Sequence, residues 1–394
     1  MTSLTELGVR VIDVDTHVIE HYDLWTSRVS VQKYGDLVPH IVVDDQGAEW
    51  WQSGDRRLGA GAAAAASLWN DYPPDLPQRL EDVDRRVWDP VGRLELMDEY
   101  GIYAAVLYPN VAGFGAGTFL SLGDMELAGL LLQAYNDYLA DWHAISDRYV
   151  PIMAIPFWDV DFSIREMERA RSKGHRGLIL SQEPQTFGQP KLSDRHWDPL
   201  WAAAEEMGLS VNFHIAGGAD NDATFELLTP DSGRHANFAS FPVNFFIQNT
   251  RTISQLIGGG VCHRFPELKF VSVESGVSWI PFALDALDWM WKECGVVREH
   301  PEYDLLPSEY FKRQIYGCFW FEETESIEFA ISKLGADRIL YETDFPHPTS
   351  MTPGPLSSAV PAREFLSKRL SGIAHEDLRR IVHDNAASLY RLDY

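Results

Sequence analysis

Eight short runs of apolar and β-branched residues recur along the chain, at residues 10–14, 103–108, 150–155, 177–181, 210–214, 269–274, 314–319 and 339–343. Between most of them lie stretches of helix length, such as 126–146, 162–173, 199–207, 277–292 and 324–334. Strands that are apolar on both faces need cover on both sides, and a helix between successive strands implies parallel pairing. Eight such units predict a (β/α)8 barrel of the TIM type. A doubly wound open sheet is the competing architecture, but no Gly-rich dinucleotide loop follows the first run. The expected organisation is one barrel domain over residues 1–394, closed by a helix from His375.

Two connections break the pattern. About seventy residues separate the first strand from the helix near 93–100, far more than a barrel loop needs. This stretch holds Trp25, Trp50, Trp51, Trp69 and Trp88, so it is too aromatic for a linker. Residues 21–90 therefore read as a cap-like insertion over the barrel mouth, with a flexible Ala/Gly tip at 59–66. A second insertion, from Gly217 to about Val243, follows the fifth strand and is rich in Asp, Asn and Gly. Loops that follow strands lie on the catalytic face of such a barrel, so both insertions are expected to shape a pocket.

The net charge of −25, from 33 basic against 58 acidic residues, leaves no basic face for nucleic acid. No run approaches the roughly 18 apolar residues of a membrane span. Three scattered cysteines, Cys262, Cys294 and Cys318, suit a reducing cytoplasm rather than a disulfide framework. No signal peptide is evident at the N-terminus.

The strand ends carry the chemistry. Asp15 and His17 end the first apolar run, and residues i and i+2 of a strand share a face. His214 ends the fifth strand, Glu274 the sixth and Asp344 the eighth. Alone, His214 reads equally as a buried core histidine and Asp344 as a helix cap. Together at one barrel mouth they point to a shared metal ion. Nitrogen and carboxylate ligands without thiolate suit a divalent ion: Zn²⁺ first, with Mn²⁺ or Fe²⁺ favoured by an oxygen-rich set. His347, between Pro346 and Pro348, reads as a turn residue at the pocket rim. Glu20 and His21 are candidates to support the ligands from behind. Arg251 reads as a partner for a substrate carboxylate or as a surface residue.

These motifs give the chain a family resemblance. Asp15-x-His17, His214 in Val211-Asn212-Phe213-His214, the segment His263-Arg264-Phe265-Pro266-Glu267-Leu268, and Asp344 in Thr343-Asp344-Phe345-Pro346-His347 are similar to those of an amidohydrolase-related family. That family contains aminocarboxymuconate-semialdehyde decarboxylase and the resorcylate and related benzoate decarboxylases. The resemblance implies a distorted barrel with one divalent metal at its mouth, His17 and His214 as ligands, Asp15 as the first ligand, and Asp344 as ligand or proton-transfer acid. It also implies a homodimer or larger homo-oligomer. Two departures stand out: Asp15 where relatives often have His or Glu, and Glu274 where many have a proton-transferring His.

The function expected is a metal-dependent carbon–carbon lyase, a non-oxidative decarboxylase of a small carboxylated cyclic or unsaturated organic acid, with Asp344 or Glu274 delivering the proton. Two alternatives use the same residues: a hydrolase of an amide, lactone or ester acting through a metal-activated water, and a ligand-binding barrel without turnover. A binuclear hydrolase would need a bridging residue on the fourth strand, where only Glu183 is offered.

Overall fold

The computed structural model describes residues 8–393, except 63, 112, 115 and 219–227. The chain enters through β1 (Ile12–His17) and then forms an antiparallel meander of β2 (His40–Val43), β3 (Glu49–Ser53) and β4 (Arg56–Ala60). The remaining strands are β5 (Ala104–Tyr108), β6 (Tyr149–Ala154), β7 (Gly177–Ile179), β8 (Ser210–His214), β9 (Phe270–Val273), β10 (Ile315–Phe319) and β11 (Ile339–Tyr341). With β1 they make one eight-stranded sheet in chain order, every neighbour parallel. All eight strands are buried end to end, which is why their sequences are mostly apolar.

The sheet closes on itself at β1 and β11. Thr16 bridges Phe345 in the parallel sense. Asp344 N donates to Asp15 O at 2.9 Å and His17 N to Phe345 O at 2.6 Å. Asp13 adds a side-chain clasp, with Oδ1 accepting from Thr343 N at 2.9 Å and Oδ2 from Thr343 Oγ1. The pairing of β1 with β5 slips between Asp13 and Thr16. Such an irregularity rotates the strand. Asp13 and Thr16 therefore line a small cavity with Arg93 on the helix side, while Asp15 and His17 join the cluster at the mouth.

Local signals fix the helices. Helix Pro90–Tyr100 begins at Asp89, whose carboxylate accepts from Val91 N and Gly92 N, carries proline in its first turn, and ends at Gly101 with φ 79°. Its buried Arg93 donates to His17 O at 3.0 Å and lies over the Phe345 ring at 4.2 Å, so this helix steadies both closing strands. The chain ends in Asn385–Tyr390, reached from His375 through a π-helical turn at Arg380–Asp384. Tyr390 and Tyr108 both donate to Asn212 Oδ1, a polar knot inside the barrel.

The first insertion is anchored by its aromatics. Trp51 is buried and meets Trp25 edge-on at 4.8 Å, and Trp25 Nε1 donates to Leu131 O on the long helix Met125–Ile145. The described residues of the Ala/Gly run, expected as a flexible tip, are instead packed: Gly59 and Ala60 end β4, and Ala62 and Ala65 are buried. Small side chains let this segment approach Glu49 closely. Of the second insertion, residues 219–227 fall outside the described residues, and from Arg234 to Phe246 the chain is a helix.

Asp13→Ala leaves Thr343 N unpaired and is expected to cost about 2–4 kcal/mol in denaturant unfolding. Burial pushes the Asp13 carboxyl up to about 8, against the hydrogen bonds from Thr343 that lower it. An unfolded aspartate titrates near 4. Between about pH 4 and 8 the unfolded chain therefore binds fewer protons, and this contribution to stability is lost as pH rises. Asp13→Asn, compared with the unmodified chain by Tm across that window, is expected to remove that part of the slope.

Candidate metal centre

Five buried side chains converge at the mouth: Asp15 and His17 from β1, His214 from the end of β8, and Glu274 and Asp344 just beyond β9 and β11. These are the five residues expected from the sequence. His347, expected as a turn residue at the pocket rim, joins them: it is buried, stacks on His17 at 3.9 Å, and places Nδ1 2.8 Å from Asp344 Oδ1. Asp15, His17, His214 and Glu274 offer ligand atoms all within 4.8 Å of one another, as do His17, Glu274, Asp344 and His347.

The two histidines fit a cation. His17 Nδ1 faces Pro109 O at 3.4 Å and His214 Nδ1 faces Ile215 O at 2.9 Å. A carbonyl only accepts, so each neutral ring carries its proton on Nδ1 and turns the Nε2 lone pair inward. The two Nε2 atoms lie 3.2 Å apart. Facing lone pairs at that distance repel unless a proton or a cation lies between them. Around them, His17 Nε2 is 3.3 Å from Asp15 Oδ1 and 3.5 Å from Asp344 Oδ1, and His214 Nε2 is 3.2 Å from Glu274 Oε2. Neither Asp15 oxygen nor Asp344 Oδ1 makes a hydrogen bond of good geometry among the described residues.

Charge points the same way. Left to the protein's own groups, burial pushes the Glu274 carboxyl well up, helped by Asp344, Asp15 and Glu342. Burial also raises Asp15, against His17, which lowers it. Burial lowers His17, but Asp15 and Asp344 outweigh it and lift the ring to about 9. Asp344 goes the other way: burial raises it, yet His347 and His17 hold it below the ordinary carboxylate range. Several buried carboxylates are costly unless a cation compensates them. A divalent ion among His17, His214 and the three acids would do so and displace the proton from His17.

The backbone is held in an uncommon state here. Glu274 has φ 51° and Asp344 φ 58°, in the left-handed region that favours glycine. Their surroundings enforce it: Glu274 N donates to Glu342 Oε2 at 3.1 Å, and Asp344 N is the barrel-closing donor to Asp15 O. Thr349 Oγ1 donates to Asp344 Oδ2 and lies 3.5 Å from Glu274 Oε1. Behind His347, Asn110 Oδ1 accepts at 3.2 Å, and Asn110 and Val111 N reach the buried Glu20. Glu20 thus supports the site as expected, whereas His21 is exposed and paired with Asp23. Arg251 is exposed and paired with Glu183 at 3.1 Å, which takes both out of the centre.

Sequence reasoning passed over Phe114, stacked on His214 at 3.8 Å, as well as Thr349, Asn110, Glu342 and Asp13. Asp13 stands two residues before Asp15, a visible signal, but the register slip turns it away. Phe114 and Asn110 lie in a loop whose path no local pattern reveals.

Residues 12–392 match the family described as Amidohydrolase, and the chain belongs to it. The gamma-resorcylate decarboxylase of Polaromonas sp. (strain JS666 / ATCC BAA-500) is 25% identical over 333 residues, covering 81% of this chain and 91% of the relative. Among solved structures, an amidohydrolase from Mycobacterium avium subsp. paratuberculosis K-10 has a TM-score of 0.72 at 21% identity, covering 97% of this chain and 99% of the other. A dihydroxybenzoic acid decarboxylase from Polaromonas sp. JS666, with bound manganese and the inhibitor 2-nitroresorcinol, has a TM-score of 0.62 at 19% identity and covers 98% of each chain.

Adding Mn²⁺ or Zn²⁺ to metal-stripped protein is expected to raise Tm, with about 2.7 kcal/mol of stabilisation at a hundredfold excess over Kd. His214→Ala is expected to lose most bound metal by elemental analysis. Full metal content in that variant would remove the β8 histidine from the ligand set.

Proposed function

We propose that this chain is a metal-dependent, non-oxidative decarboxylase of a small carboxylated cyclic or unsaturated organic acid. The observation that carries the reading is the pair of inward Nε2 lone pairs on His17 and His214, 3.2 Å apart among buried acids. Likeness along most of its length to a gamma-resorcylate decarboxylase supports the reaction class.

Asp15, His17, His214 and Asp344 would hold the ion. Two carboxylates and two imidazoles, with the Glu274 carboxyl beside them, suit Mn²⁺, the metal bound by the dihydroxybenzoic acid decarboxylase, with Zn²⁺ as the competing occupant. When bound, such an ion supplies a Lewis acid that orients the substrate's carboxylate and steadies its neighbouring oxygen. The bond from that carboxylate to its carbon breaks, CO₂ leaves, and the electron pair stays on the carbon. Glu274 would hand over the proton that carbon then takes; in support, its Oε2 lies 3.2 Å from His214 Nε2. Thr349 and the backbone bond to Glu342 hold Glu274 in place. His347, between Asn110 and Asp344, fixes the orientation of the Asp344 carboxylate.

The insertion at residues 21–90 is read as a cap. Supporting this, Ser67 N donates to Pro346 O at 3.0 Å and Ser67 Oγ to His347 O at 3.2 Å, so the insertion touches the loop that carries Asp344. A homo-oligomer fits the exposed Phe282, Trp289 and Met290, grouped on one side of helix Ile280–Glu293. No helix among the described residues is long and apolar enough to cross a membrane.

Glu274→Gln is expected to cut CO₂ release by roughly a hundredfold or more while metal content is kept. Conversion of an amide or lactone by the metal-loaded protein, without CO₂ release from any cyclic acid, would overturn the lyase reading in favour of hydrolysis. Sedimentation is expected to show a dimer or larger species that Trp289→Asp dissociates.

A further inference from the structure

A wide-mouthed, solvent-open chamber of about 580 Å³ lies beside the metal centre, between the two insertions. Its walls are Tyr72 from the first insertion, Phe238 and Phe246 from the helix of the second, Trp320 and Phe321 beyond β10, and Thr349 beyond β11. The rings brace one another: Phe246 meets Trp320 edge-on at 5.3 Å and Phe321 at 5.4 Å, and Trp320 and Phe321 lie 4.8 Å apart. Thr349 is the shared wall with the metal centre, because its hydroxyl also touches Asp344 and Glu274. The chamber therefore starts where the reacting acids end.

One further observation bears on its occupant, its size. A cavity of roughly 150 Å³ accommodates benzene, so a one-ring acid seated at the metal leaves most of this aromatic volume unfilled.

We infer that the chamber receives an apolar aryl or alkyl extension of the substrate. The substrate is then an extended acid whose carboxylate lies at the metal and whose far end lies between the two insertions. The acid end rests on the decarboxylase reading above, while the chamber itself rests on the residues that line it.

Calorimetry on full-length, Mn²⁺-loaded protein separates the two. The compact probe is 2-nitrophenol, whose nitro group stands in for a carboxylate. The extended probe is 4-phenyl-2-nitrophenol. The extended probe is expected to bind at least roughly tenfold tighter. Phe238→Asp, at a half-buried position, is expected to erase that advantage and leave the affinity for 2-nitrophenol unchanged. Equal affinity for the two nitrophenols, or an advantage that survives Phe238→Asp, overturns the inference. If neither nitrophenol binds, 4-phenylphenol decides: binding that is lost in Phe238→Asp keeps the chamber and sinks the metal-centred reading, and no binding at millimolar concentration sinks the chamber as well.

Discussion

Asp344 donates its backbone N–H to Asp15, and His17 donates to Phe345, so the hydrogen bonds that close the barrel are made by the site's own residues. Closure and site assembly are therefore one event. Until β1 meets β11, residues over three hundred positions apart in sequence have no reason to be neighbours. The clasp from Asp13 to Thr343 and the reach of Arg93 to His17 O act on the same junction from the helix side. Removing an edge in this way satisfies the backbone groups of the two outer strands. It also sets the positions of two site acids and one imidazole with the rigidity of a sheet rather than a loop.

Rigidity is needed because the site is unfavourable by itself. Asp15, Glu274 and Asp344 are buried within reach of one another, with Glu342 behind them. Two of these acids adopt left-handed backbone angles that a non-glycine residue rarely takes. Like charges, desolvation and backbone strain all oppose this arrangement, and the surrounding barrel core opposes its collapse. A cation relieves the first two at once. That asymmetry couples metal binding to stability in this fold.

The sequence pattern made the barrel legible, because strands buried on both faces are mostly apolar up to the point where they reach the mouth. For that reason Asp15, His17, His214, Glu274 and Asp344 could be picked out: each is a charged or imidazole side chain ending an apolar run. The failures have physical causes. Asp13 shares the i, i+2 spacing with Asp15, and only the slip in the pairing of β1 with β5 turns it outward. The prolines beside His347 marked a turn correctly but concealed that the turn folds back over His17. The Ala/Gly run carried the composition of a flexible tip, while its small side chains serve close packing. Trp320 and Phe321 lie beyond a strand end like the site residues, yet nothing local shows that Phe246, from a distant insertion, closes on them.

Glu274 gives the centre its individual character. An imidazole at that position would bring a positive charge when protonated and none when it had given its proton away. A carboxyl brings no charge when protonated and a negative one afterwards. In a cluster that already holds Asp15 and Asp344, the neutral form is the easier one to keep, as the upward shift of Glu274 reflects. Under the proposed reaction, giving that proton up would leave a third negative charge beside the ion, which would draw the proton back and reset the group. The same extra negative charge would strengthen the grip on a hard divalent ion. A carboxyl here would thus link the proton step to metal retention, since any change that weakened the ion would also make Glu274 a poorer acid.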